Sequence, residues 1–71
     1  MKIFKVLCVD VLTHMQIIAT DCSYNFACGY LESIGAKVDE IKTDFRTNRT
    51  LLFTDRGIYI YDENRGILLM D

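Results

Sequence analysis

The chain has no proline and no tryptophan, one histidine and only three cysteines. Without proline, nothing marks a rigid linker, and no strand or helix loses a backbone donor in mid-element. A single histidine, His14, leaves metal binding and acid–base catalysis short of their commonest group. Cys8, Cys22 and Cys28 are odd in number and follow no disulfide-framework spacing. The opening stretch MKIFKVLCVDVLTHMQ is broken by Lys5 and Asp10 and offers no small-residue cleavage site, so it reads as a strand rather than a signal peptide. A reducing, cytoplasmic setting is therefore expected. No apolar run approaches the ~20 residues that span a bilayer, so no membrane association is expected. The net charge of −2 carries no basic footprint for nucleic acid, and it is too small for a polyanion mimic.

What the chain does have is apolar material. Its 71 residues make one α+β domain, residues 1–71, and 51% of them are hydrophobic. A domain this small buries a modest share of its surface, so that fraction exceeds what a lone two-layer monomer easily hides. A partner protein, or a second copy in a homodimer, would cover the excess.

Residues 2–10 place Ile3, Leu7 and Val9 on one face and Phe4, Val6 and Cys8 on the other. Apolar residues on both faces predict a central strand. A hairpin around Leu12–His14 leads into a second strand over residues 15–20. Then "DCSYNFACGYLESIG", Asp21 to Gly35, reads as a helix. Asp21 is the expected N-cap, with Thr20 and Ser23 as near alternatives. Gly35 fits the position after the C-cap. At about 100° per residue, Tyr24, Ala27, Leu31 and Ile34 form the core stripe, with Cys28 at its margin. Phe26, Cys22 and Tyr30 fall toward the opposite side.

The remainder reads as an antiparallel meander. Residues 37–45 set Ile41, Thr43 and Phe45 against a mostly charged face, and Thr47-Asn48 turns into Thr50–Thr54. Asp55-Arg56-Gly57 makes a tight hairpin into Gly57–Tyr61, and residues 62–66 turn into Ile67–Met70. Tyr59, Tyr61, Asp62, Gly66, Leu68 and Leu69 give this last hairpin a pattern that resembles pieces of propeller blades, over that part of the chain alone. The expected architecture is one helix packed on a mostly antiparallel sheet of five to six strands, in ββαββββ order. Strand order does not follow from these signals.

Candidate chemistry is sparse, and no cofactor is expected. On a helix, Cys22 and Cys28 would stand about 240° apart and about 9 Å along the axis, too far to share a metal ion or a disulfide. No metal site is expected. Cys22 at a helix start would gain from the macrodipole, yet Asp21 beside it favours the protonated thiol, so a Cys22 nucleophile is the weakest reading. The pairs Asp39-Glu40 and Asp62-Glu63 lie on opposite strand faces and in a turn, respectively. An enzyme is not expected.

Two surfaces invite binding. Arg46, Arg49 and Arg65 belong to turns expected at one end of the sheet, with Arg56 at the other, and could hold phosphate or nucleic acid. Nucleic acid remains the alternative partner. The leading expectation is burial of Phe26, Tyr30, Tyr59 and Tyr61 against a protein, with sheet-edge pairing along residues 67–70 through Leu68 and Met70. On that reading the chain is a small interaction module that occludes or bridges its partner. Short autonomous chains of this kind are often accessory proteins of phages or mobile elements that inhibit a host or defence factor.

Overall fold

The computed structural model describes residues 2–4 and 7–71. Lys5 and Val6, which the sequence places in the first strand, lie outside the described residues. The elements are β1 (Lys2–Ile3), β2 (Gln16–Thr20), α1 (Tyr24–Ser33), β3 (Val38–Asp44), β4 (Arg49–Thr54), β5 (Gly57–Asp62) and β6 (Ile67–Met70). The ββαββββ order stands, and all six strands join one antiparallel sheet in the order β1-β2-β6-β5-β4-β3.

Strand position follows side-chain chemistry. In β6 the sequence ILLM has no polar residue, and Ile67, Leu68 and Leu69 are all buried. A strand apolar on both faces belongs in the sheet interior, and β6 lies between β2 and β5. The expected docking edge along residues 67–70 is thus corrected: its backbone is paired on both sides. The true edges are β1 and β3. Among the described residues β1 pairs only with β2, which makes this strand peripheral rather than central. β3 carries four charged residues among its seven, all of them exposed, as suits an edge.

Residues 9–16 form the expected hairpin, closed by the Val9–Gln16 bridge and a bond from Asp10 N–H to the Met15 carbonyl at 2.8 Å. Ser23, not Asp21, caps α1: its side-chain oxygen accepts the Phe26 N–H at 3.1 Å. Asp21 instead turns the chain at φ 52°. Cys22 therefore precedes the helix and gains nothing from its dipole. Gly35 takes the expected place after the C-cap Ile34 at φ 74°, a conformation costly for any residue with a Cβ.

α1 buries Ala27 and Leu31, with Tyr24 and Ile34 half-buried beside them, as its periodicity predicts. They pack on Ile18, Leu52, Tyr59, Tyr61 and Leu68, contributed by β2, β4, β5 and β6. A second, smaller cluster on the other sheet face joins Ile60, Ile67 and Leu69 to half-buried Met15, Ile17, Leu51 and Ile58.

Candidate functional site

A cluster of polar side chains forms at one end of the sheet. The turn after β3 and the turn after β5 meet there, where the Asn48 side-chain amide donates to Asn64 Oδ1 at 3.1 Å. The 9–16 hairpin arrives at the same place. Arg65 reaches it with a two-pronged contact, Nη1 to Asp10 Oδ1 at 3.1 Å and Nη2 to Asp10 Oδ2 at 2.9 Å. Arg65 Nε also donates to Asp62 Oδ2 at 3.2 Å, which accepts from Arg49 Nε at 3.4 Å as well. Both carboxylates are buried.

The electrostatics follow from this geometry. Hydrogen bonds from the Arg65 and Thr13 side chains hold the Asp10 carboxyl well below the usual carboxylate range. Burial pushes the Asp62 carboxyl up, but hydrogen bonds from the Arg65 side chain and backbone and from Arg49 outweigh it, so it too ends low. Arg65 is raised by the Asp10 hydrogen bonds against the opposing effect of burial. Every charge in the cluster meets its opposite, which makes it a clamp between the hairpin and the β5–β6 turn.

That clamp bears directly on the expected phosphate patch. Arg49 and Arg65 do come together, but their guanidinium groups are engaged by Asp62 and Asp10. Arg46 stands in the exposed turn after β3, where its backbone N–H bonds Asp44 Oδ1 at 2.9 Å. The three arginines therefore offer no joint anion cradle. Asp10 and Asp62 together engage two of the four arginines in or beside the turns.

The expected aromatic interface also resolves differently. Tyr59 and Tyr61 are only 4% and 6% exposed, and Leu68 is fully enclosed. The Tyr61 hydroxyl donates to the Cys22 carbonyl at 2.8 Å, and its ring meets Tyr24 edge-on at 5.8 Å. Phe26, Tyr30 and Met70 are half-buried against the same core, with the Phe26 and Tyr30 rings 6.2 Å apart. Tyr59 and Tyr61 are core residues rather than amphipathic surface, and the Tyr61 hydroxyl is satisfied by a backbone carbonyl. Cys22 is buried as well: its thiol donates to the Gly66 carbonyl at 3.4 Å, and burial pushes its pKa up. Both effects disfavour the thiolate that a nucleophile needs. Cys8 is half-buried and Cys28 exposed.

Apolar surface is exposed elsewhere, at two places the sequence did not single out. Val11 and Leu12, at the hairpin tip, are 83% and 71% exposed, with Leu7 and Val9 also open. Along the β3 edge, Ile41 and Phe45 are 51% and 85% exposed, beside Val38. Between this edge and the start of α1 runs an open groove of about 560 Å³, lined by Ser23, Tyr24, Thr43, Thr50, Tyr61 and Glu63. Among the described residues no helix is long and apolar enough to cross a membrane.

The chain matches no protein-family model, no curated protein and no solved structure.

Proposed function

We propose that the chain is a small, non-catalytic protein-interaction module that docks its hairpin tip on a partner protein. The observation that carries this reading is an apolar tip held by a charged clamp. Val11 and Leu12 project from a turn whose neighbour Asp10 is gripped by both prongs of Arg65. Thr13 Oγ1 adds a bond to Asp10 Oδ2 at 2.7 Å on the far side of the tip. Loop tips are ordinarily polar, because water must solvate them in any case. Here large aliphatic groups are presented on a turn tied to the sheet. Pinning a loop before it binds reduces the ordering cost of association.

Insertion of these side chains into an apolar pocket would occlude the partner or bridge it to another body. An accessory inhibitor of a host or defence factor is the form we give to this activity. The partner surface proposed here replaces the aromatic and β6 set, whose members are half-buried or enclosed.

Affinity capture from the native host, compared between the wild-type chain and a Val11→Ser, Leu12→Ser double variant, tests the reading. Removing two aliphatic groups that each gain ~1.5–3 kcal/mol on burial should deplete the true partner at least tenfold. A captured set indifferent to the double variant would refute the role of the tip.

A further inference from the structure

We propose that a second copy of this chain adds to the sheet along the outer edge of β3, antiparallel and centred on Ile41. This specifies one partner for the interaction-module reading while using a different surface from the hairpin tip. β3 pairs with β4 on one side, and among the described residues no strand lies on the other. Nothing in the helical layer obstructs it, because the buried core of α1 packs on residues of β2, β4, β5 and β6 and none of β3.

The register is chosen by charge. Glu40 and Lys42 stand opposite Phe53 and Leu51, so they project from the face away from α1, while Ile41, opposite Leu52, projects from the helix face. A two-fold axis normal to the sheet at Ile41 sets Glu40 of each copy against Lys42 of the other. It brings the two half-exposed Ile41 side chains together on the opposite face. Directly opposed unlike charges and apolar pairs both stabilise antiparallel strands. Moving the axis to Glu40 opposes two glutamates, and moving it to Lys42 opposes two lysines. An axis at Thr43 lies one residue from the end of β3, so only Lys42 to Asp44 would pair within the strand.

The irregularity between Val38 and Glu40 shortens the regular ladder. Such a contact buries less than the ~1,200 Å² of a stable interface, so the dimer should be concentration-dependent. With this register each copy keeps its helix on the same side of a twelve-stranded sheet, and both hairpin tips, at the far edges, stay free. The arrangement suits a protein that bridges two partner molecules.

Sedimentation equilibrium between ~10 µM and ~1 mM tests the proposal, with circular dichroism confirming that each variant is folded. The wild-type mass should rise from 8.2 kDa toward twice that value. Glu40→Lys and Lys42→Glu should each weaken self-association about tenfold, because two symmetry-related pairs turn repulsive. An equimolar mixture of the two variants should associate as well as wild type, since every opposed pair then carries unlike charge. The Val11→Ser, Leu12→Ser variant should dimerise normally, which separates failure of this proposal from failure of the tip reading. A wild-type chain that stays monomeric throughout overturns the proposal, as do single variants that associate normally or a mixture that fails to recover.

Discussion

Asp62→Ala is expected to lower folding stability by about 3 kcal/mol. Asp62 is 3% exposed and accepts four hydrogen bonds: Arg49 Nε, Arg65 Nε, and the backbone N–H groups of Asn64 and Arg65. Its removal leaves Arg49 without its carboxylate, Arg65 with Asp10 alone, and two turn amides without a partner. Asp62→Asn should lose roughly half as much, because an amide oxygen can still accept the turn amides. Urea unfolding checks both values, with a shifted midpoint and an unchanged slope.

The same cluster sets an acid limit. The folded-state pKa values of Asp10 and Asp62 lie below their ordinary value of 3.8. The unfolded chain therefore takes up these protons first as pH falls. The stabilisation is present in full above about pH 5, declines as pH falls below about 4, and is lost on passing through the folded pKa values. The gap between wild type and Asp62→Ala should accordingly narrow in acid. A gap that stayed constant down to pH 2 would show that Asp62 contributes packing rather than charge.

Leu68→Ala should remove about 3–4 kcal/mol. Leu68 is fully enclosed, stands between Ala19 and Tyr61 in the sheet, and belongs to the core packed beneath α1. Truncation opens a cavity that a paired backbone on both sides cannot close. A domain of this length has a total stability of about 4–11 kcal/mol, so this variant should be close to unfolding at 37 °C. Thermal and urea unfolding give the number. Were β6 a peripheral strand, water would reach the site and the loss would be nearer 1 kcal/mol.

Many local signals in the chain are readable where neighbours in sequence are neighbours in space, although the helix starts at the Ser23 cap rather than at Asp21. The span Ile67–Met70, the Asp55-Arg56-Gly57 hairpin and the core stripe of α1 all follow from turn residues and periodicity. The pairing of β2 with β6 joins residues some fifty positions apart and has no turn to announce it. Even so, a clue to it lay in composition: ILLM has nothing polar to offer solvent, whereas VDEIKTD does. Reading ILLM as a sticky edge mistook a strand that needs two neighbours for one that lacks them.

The candidate site was harder to see for a related reason. Tyr59 and Tyr61 are amphipathic, and their sequence neighbours do not reveal that α1 lies over them. In the sequence Asp10 stands only as a break in an apolar stretch. A lone acid between Val9 and Val11 was also a hint of a buried partner, and that partner, Arg65, comes from the last turn. The exposure of Val11 and Leu12 depends on where this clamp holds the hairpin, which no local pattern records.

The dimer proposed along β3 requires that the charged strand be the open edge and that the oily strand β6 lie inside. Amide hydrogen exchange at low and at high protein concentration tests it most directly. Residues 67–70 should be among the slowest to exchange at every concentration, while residues 38–44 exchange rapidly when dilute and slow down as concentration rises. Fast exchange along 67–70, or protection of 38–44 that is already complete in dilute solution, would contradict it.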